Sequence, residues 1–120
     1  MTPVSTLTAR RDFLAANRGH RVPTPGFVLL VNPRADDDAA IRVGFTVTKK
    51  VGNAVVRNRM KRRLRALARE LFATDGITGA DHVLIGRESG IERDFAILRA
   101  ELVRALAKAR LSAVTKASPV

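Results

Sequence analysis

The 120-residue sequence contains no cysteine, no tryptophan and no tyrosine, and only two histidines. Without cysteine, the chain can form neither a disulfide scaffold nor a cysteine-ligated metal site. It has no apolar run of about 18 residues, the length that would indicate a membrane-spanning helix. Its first eleven residues lack the apolar core of a signal peptide. A length of 120 residues is enough for one compact domain, so we expect a single domain over residues 1–120. The absences favour a cytoplasmic protein.

Acidic residues are absent from a long window, residues 39–69. The whole chain has 22 Lys and Arg against 11 Asp and Glu, a net charge of +11. Nine of those cations fall within residues 49–69. Because charge of one sign repels itself at this density, the pattern indicates a polyanionic partner. Nucleic acid is favoured over an anionic membrane, since no spanning helix is present.

The basic segment has the pattern of a helix that begins at Gly52-Asn53 and ends by Asp75-Gly76. Asn53 is a good N-cap. An apolar stripe at helical spacing follows it and predicts a buried face, formed by Val56, Met60, Leu64, Leu67 and Leu71. At about 100° per residue, a cationic row lies beside that stripe, formed by Arg57, Lys61, Arg65 and Arg69. Asn58 and Arg62 widen this row, whereas Arg59 and Arg63 fall on the opposite flank.

The other elements predict an α/β fold, more specifically an α+β two-layer sandwich of order αβββαβα with a mixed sheet. A first helix capped by Thr6 or Thr8 ends near Ala16, and residues 21–25 form at most a short edge segment. Strands at 27–32 and 41–48 are expected to form a hairpin with a long loop. A buried strand at 82–86 should run parallel to the second of these. The last helix should span about 92–110, before a disordered tail at about 112–120.

The first main strand has apolar residues on both of its faces. Phe27, Leu29 and Val31 suit the core, but Val28 and Leu30 lie on the side where the next strand presents only small and polar residues. The sequence leaves two interpretations open. Either the first helix packs over Val28 and Leu30, or these residues form the floor of a binding groove.

A catalytic site is not evident in the sequence. His20 and His82 are far apart, and His82, at the start of a buried strand, is expected to be structural. Asp36, Asp37 and Asp38 have the pattern of a solvated turn rather than a cation site. No phosphate-binding glycine loop is present. We therefore expect neither catalytic nor metal-ligating residues in this chain.

Residues 49–62, Lys-Lys-Val-Gly-Asn-Ala-Val-Val-Arg-Asn-Arg-Met-Lys-Arg, resemble the signature of the bacterial ribonuclease P protein subunit, with Arg57-Asn58-Arg59 as its core. The resemblance covers nearly the whole chain. It implies an accessory subunit of the endonuclease that removes the 5′ leader from precursor tRNA. It also implies that the catalytic groups and Mg²⁺ belong mainly to an RNA subunit and the substrate, and that the protein binds that RNA and the leader.

The resemblance also implies two sets of site residues. The set facing RNA is Lys49, Lys50, Asn53, Arg57, Asn58, Arg59, Lys61, Arg62 and Arg65. The set forming a leader groove is Phe13, Val28, Leu30, Thr46 and Thr48. Asn17 and Leu30 stand where the family commonly has aromatic residues. The alternative function is that of a ribosomal-type protein that binds structured RNA without processing it. A metal-dependent nuclease acting alone is disfavoured by the missing acid and base groups.

Overall fold

The computed structural model describes residues 4–117, with side chains described as far as Leu111. Five strands form one sheet: β1 (Val4–Thr6), β2 (His20–Pro23), β3 (Phe27–Pro33), β4 (Ile41–Thr46) and β5 (Ala80–Gly86). Three α-helices accompany them: α1 (Arg10–Ala16), α2 (Ala54–Asp75) and α3 (Phe95–Ala117). Short 3-10 turns at Lys49–Val51 and Glu88–Gly90 lead into α2 and toward α3.

The sheet is mixed, with the strand order β1-β4-β5-β3-β2. β4 runs parallel to both β1 and β5, whereas β3 runs antiparallel to both β5 and β2. The predicted α+β class and the parallel pairing of the strands on either side of α2 are confirmed. The predicted element order lacked β1, because three exposed residues are too few to show a strand period. The short edge segment expected near residues 21–25 is the edge strand β2.

The predicted hairpin between β3 and β4 is wrong, because β5 lies between these two strands and pairs with both. All five residues from Phe27 to Val31 in β3 are buried, as are residues 80–84 in β5. Strands covered on both faces are apolar without alternation and occupy the centre of a sheet. The poor alternation of β3 is therefore typical of a central strand, and predicting the hairpin did not take this signal into account.

The sheet has a long-helix face and a short-helix face. α2 and α3 pack with Phe27, Leu29 and Leu84 into the main core. Val28, Leu30 and other residues of the opposite face form a smaller cluster with Leu7 and Ala16, and Phe13 of α1 packs against it. Of the two interpretations left open, packing under the first helix is confirmed for Val28, whereas Leu30 belongs to this cluster and also lines a groove described below.

Several element boundaries differ from the predictions. α1 begins after Ala9, which makes no side-chain cap, so neither Thr6 nor Thr8 caps it. Thr6 instead belongs to β1. The last helix spans Phe95–Ala117 rather than 92–110, and the Asp94 carboxylate accepts a hydrogen bond from the Ala96 N–H at 2.8 Å. The tail predicted at 112–120 is thus helical as far as Ala117, and its last three residues lie outside the described ones.

A buried carboxylate joins the β3–β4 loop to the sheet. Asp81, at 2% exposure, accepts hydrogen bonds from Arg42 Nε and Nη2, both at 2.6 Å, and from Arg34 Nη1 at 2.8 Å. Arg34 also donates to the Ala40 carbonyl at 2.7 Å and to Asp36 at 3.0 Å. Arg34 therefore anchors the exposed acidic turn to the sheet, and the carboxylates of Asp36 and Asp38 accept hydrogen bonds within the loop.

His82 is structural, as the sequence predicted. Its Nε2 accepts a hydrogen bond from the Ile77 N–H at 3.1 Å, so Nδ1 carries the proton and donates to the Arg42 carbonyl, also at 3.1 Å. The ring lies edge-on to Phe72, with 4.8 Å between the ring centroids. Burial lowers the pKa of His82 to about 4, because the charged imidazolium loses its hydration there.

Acidification should therefore destabilise the fold through His82. Between its unfolded pKa, near 6.5, and its folded pKa, about 4, the unfolded chain binds more protons. The contribution of neutral His82 to the free energy of unfolding is complete above the unfolded pKa and is lost as the pH falls toward the folded pKa. The total loss is up to about 3 kcal/mol. Urea unfolding at pH 7 and pH 5 should show this loss in the wild type, whereas His82→Gln should lack this component. His20→Gln controls for removal of a histidine, and an unchanged pH dependence in His82→Gln would contradict the assignment.

Candidate nucleic-acid interface

The N-terminus of α2 forms as the sequence predicted. The Asn53 side-chain oxygen accepts a hydrogen bond from the Val56 N–H at 3.0 Å, which makes Asn53 the N-cap. Lys49 and Lys50 lie exposed in the preceding 3-10 turn. Because the first turn of a helix carries free N–H groups and the positive end of the dipole, two cations beside it favour a bound anion.

The apolar stripe of α2 anchors the helix to the sheet. Met60, Leu64 and Leu67 are fully buried, Leu71 is 8% exposed, and Val56 is half-buried. Burying four such side chains stabilises the docked helix by roughly 1.5–3 kcal/mol each before entropy is counted. The stripe fixes the rotation of α2 about its axis, and the positions of its cations follow from that rotation.

One flank of α2 is tied to the segment that leads into α3. The Arg63 guanidinium donates to the backbone carbonyls of Ile91 and Arg93. Arg59 pairs with Glu92 at 3.0 Å, and Glu70 pairs with Arg99 of α3 at 3.1 Å. The cations on this flank therefore have partners within the protein, and Arg63 has a structural role.

The other flank of α2, called the open flank below, has cations without acidic partners. Its members are Arg57, Lys61, Arg62, Arg65 and Arg69. None of them makes an ion pair with any of the described residues. Arg57 Nε is buried and has no hydrogen-bond partner among those residues. A buried donor without a partner is costly. The cations without acidic partners along the open flank are suited to phosphate oxygens.

The residues predicted to face RNA fall into two groups in the structure. Six of them make no ion pair with a described residue: Lys49, Lys50, Arg57, Lys61, Arg62 and Arg65. Asn58 is exposed beside them. Arg65 lies over the Phe45 ring, with the guanidinium carbon 6.0 Å from the ring centroid. Arg59 lies on the opposite flank, where it pairs with Glu92. The Asn53 side-chain oxygen already accepts the capping hydrogen bond of α2. Arg69, which is exposed on the open flank, was in the predicted cationic row but not in the predicted site.

A groove lies beside α1 on the short-helix face, with a volume of about 430 Å³. It is called the α1 groove below, and its lining comprises Thr8, Arg10, Phe13, Leu14, Asn17, Leu30, Phe45, Thr46, Val83 and Ile85. Three of the five predicted groove residues line it: Phe13, Leu30 and Thr46. Val28 is buried in the cluster beneath it, and Thr48 is exposed beyond the end of β4.

Glycine at position 44 allows α1 to lie close to the sheet. A Cβ added to Gly44 would lie 2.6 Å from Cζ of Phe13 and 3.1 Å from Cβ of Leu7. Asn17 and Leu30, the two positions without the aromatic residue expected from the resemblance, both line the groove. Sequence patterns did not indicate Arg10 or Leu14 as lining residues, because the orientation of so short a helix depends on its packing.

The described residues do not contain a cluster of three or more His, Asp or Glu side chains placed to hold a metal ion. Within residues 4–117, no helix is both long enough and apolar enough to cross a membrane. Among the described residues, the groups available for recognition in this region are thus cations, backbone N–H groups, amides and the partly apolar α1 groove. Such a set binds phosphates and unpaired bases.

A mixed sheet that carries a helix with an unpaired cationic flank defines a small α+β nucleic-acid-binding protein. The family model for ribonuclease P matches residues 1–110 of the chain. The chain belongs to the bacterial ribonuclease P protein family. Members of this family are the accessory subunit of the tRNA-processing ribonuclease P, and their partner is its RNA subunit.

Relatives and solved structures agree with this assignment. The chain is 59% identical over 106 residues to the ribonuclease P protein component of Erythrobacter litoralis, covering 88% of this chain and 86% of the relative. It is 53% identical over 104 residues to that of Gluconacetobacter diazotrophicus, covering 86% and 89%. The Thermotoga maritima ribonuclease P protein has a TM-score of 0.72 at 30% identity, covering 86% and 96%. The Staphylococcus aureus protein has a TM-score of 0.71 at 27% identity, covering 87% and 94%.

Proposed function

We propose that the open flank of α2 binds the RNA subunit and that the α1 groove holds the 5′ leader of precursor tRNA. The observation that carries this proposal is the contrast between the two flanks of one helix. Arg59 and Arg63 are engaged within the protein, whereas Arg57 and Lys61 make no ion pair with any described residue. A partner that neutralises the open flank and tolerates sequence variation is a phosphate backbone.

The α1 groove suits a single strand whose sequence varies. Phe13 offers apolar contact to bases above a floor that includes the buried Leu30, Thr46 offers a hydroxyl, and Arg10 adds a cation for a phosphate. Stacking and backbone contact of this kind are tolerant of sequence. With Asn17 in place of an aromatic residue, the groove offers fewer stacking surfaces, so cations and apolar contact would contribute more of the leader affinity.

The described residues contain no cluster of His, Asp and Glu side chains placed to hold a metal ion. We assign Mg²⁺ to the RNA subunit and the substrate. The protein's action is to bind, orient and neutralise. Bringing cations to the surface shared by two RNA molecules lowers their mutual repulsion. We place this activity in the cytoplasm, where precursor tRNA is made.

Reconstitution tests the proposed function directly. Precursor tRNA would be incubated with the protein alone, with the RNA subunit alone, and with both, at a low fixed Mg²⁺ concentration. We expect cleavage at the mature 5′ end mainly when both are present. Cleavage by the protein alone would indicate an independent nuclease. RNA binding without any effect on processing would indicate a structured-RNA-binding protein of ribosomal type.

Shortening the leader tests the α1 groove separately from the open flank. A precursor whose leader is too short to reach the groove should lose the affinity that the protein adds to substrate binding. Binding of the protein to the RNA subunit should be unchanged. Equal substrate affinities for long and short leaders, measured with the complete enzyme, would contradict the groove assignment.

A further inference from the structure

A second cavity lies between the C-terminal half of α2 and the edge of the sheet formed by β1 and β4. It is called the α2 cavity below, and its volume is about 550 Å³. Its lining comprises Val4, Ser5, Thr6, Leu7, Val43, Phe45, Arg65, Ala68, Arg69 and Ala73. Phe45 also borders the α1 groove, but otherwise the two linings have no residue in common.

The lining of the α2 cavity combines an apolar floor with two cations. Neither Arg65 nor Arg69 makes an ion pair with a described residue, and no acidic side chain contributes to the lining. Ser5 and Thr6 add hydroxyl groups at the β1 edge. Sites that bind small groups commonly measure about 300–1,000 Å³ and combine apolar walls with a few polar groups. This cavity fits an occupant that is flat and apolar in one part and anionic in another.

The side chains of Arg65 and Phe45 indicate which group forms the flat, apolar part of the occupant. The guanidinium carbon of Arg65 lies 6.0 Å from the centroid of the Phe45 ring. Unstacked RNA bases stack on aromatic rings and on arginine planes. Arg69, one helical turn beyond Arg65, is exposed and available to a phosphate.

The position of the cavity indicates the source of such a nucleotide. From Arg57 to Arg69 the open flank extends for about 18 Å along the helix axis, at about 1.5 Å per residue. An RNA backbone that follows this flank reaches the α2 cavity at its far end. The leader is assigned to the α1 groove, beside α1 on the other face of the sheet.

We propose that the α2 cavity receives one unpaired nucleotide of the RNA subunit, with its base against Phe45 and Arg65 and its phosphate against Arg69. This inference rests on the proposed function of the open flank and adds a specific subsite to it. Ala73, which is exposed and lines the cavity, allows the site to be filled without a change of charge. Leucine is also a good helix former at such a position.

Ala73→Leu in the full-length protein should weaken binding to the RNA subunit by about tenfold, since stacking of one base has an effect of this size. Dimethyl sulfate probing of the complex should show one or two unpaired nucleotides that the wild type protects and Ala73→Leu does not. The rest of the footprint should be unchanged. Ala100→Leu, at an exposed position of α3, adds the same side chain away from the cavity and should bind like the wild type.

Three outcomes would overturn the inference: wild-type affinity and footprint in Ala73→Leu, a uniform loss of protection with no local change, or an equal loss in Ala100→Leu. If Ala73→Leu does not fold, the same probing is carried out on Arg69→Gln, with Arg104→Gln as its control. Only Arg69→Gln should expose one or two unpaired nucleotides that the wild type protects. A wild-type protein without any footprint on the RNA subunit would overturn the proposed function, and this inference with it.

Discussion

Replacing Arg57 and Lys61 by alanine should weaken binding to the RNA subunit at least about a hundredfold. Both side chains are partly buried on the open flank, and Arg57 Nε has no hydrogen-bond partner among the described residues. A charge-assisted contact to phosphate from such a site contributes about 1.5–3 kcal/mol, and about 1.4 kcal/mol corresponds to tenfold in affinity. Direct titration of labelled RNA subunit at fixed salt and fixed Mg²⁺ would measure the change.

The matched control for this pair is Arg104→Ala with Lys108→Ala on α3. Arg104 and Lys108 are also one arginine and one lysine four residues apart, and both are exposed without an ion pair to a described residue. Exposed cations contribute well under about 1 kcal/mol each, so replacing this pair should weaken binding to the RNA subunit by less than about tenfold. Equal losses from the two pairs would mean that net charge alone drives binding.

Arg93, which precedes α3, and Arg99, which lies within it, would form a less suitable control pair. Arg93 Nε donates to Glu101 at 2.6 Å, and Glu101 is only 6% exposed. Removing Arg93 would leave a buried carboxylate without its partner, which destabilises a fold for reasons unrelated to RNA. Circular dichroism and thermal unfolding should first show that every variant compared is folded.

The second large expected effect is the dependence of RNA affinity on salt. The open flank and the preceding turn offer six predicted cations without ion pairs to described residues: Lys49, Lys50, Arg57, Lys61, Arg62 and Arg65. If about six phosphates are neutralised, log K should fall against log salt with a slope near −4 to −5. Affinity should then drop by a few hundredfold to about a thousandfold between about 50 and 200 mM monovalent salt.

The same titration on the double variants separates local from general electrostatics. Arg57→Ala with Lys61→Ala should reduce the slope by about 1.5, since each lost phosphate contact removes about 0.7–0.9. The Arg104 and Lys108 pair should leave the slope unchanged. A wild-type slope shallower than about −2 would contradict the assignment of α2 as the main RNA contact.

Local patterns in the sequence were sufficient to predict α2. The apolar stripe from Met60 to Leu71 repeats at the helical period, and Asn53 supplies an oxygen to a free N–H, so both its start and its buried face were predictable. The cationic character of the helix was equally evident, because charge does not depend on folding. The run from Lys49 to Arg62, with Arg57-Asn58-Arg59 as its core, was enough to indicate the family.

Long-range packing determined which side of α2 is available. Arg59 and Arg63 have the same side-chain chemistry as Arg57 and Arg62, yet the segment before α3 provides Glu92 and two carbonyls only on one flank. These partners lie about 30 residues further along the chain. Local periodicity cannot show which distant segment will lie beside a helix.

The sequence by itself determined that this is a cationic α+β protein with a capped, amphipathic helix suited to a polyanion, because these properties follow from charge, capping and local period. Only the tertiary structure decided that β5 lies between β3 and β4, that β1 extends the sheet, and that two cavities border Phe45. Strand order and cavity shape depend on how distant segments compete for the same sheet edge and the same apolar faces. That competition is settled by the packing of the whole chain, which no local pattern records.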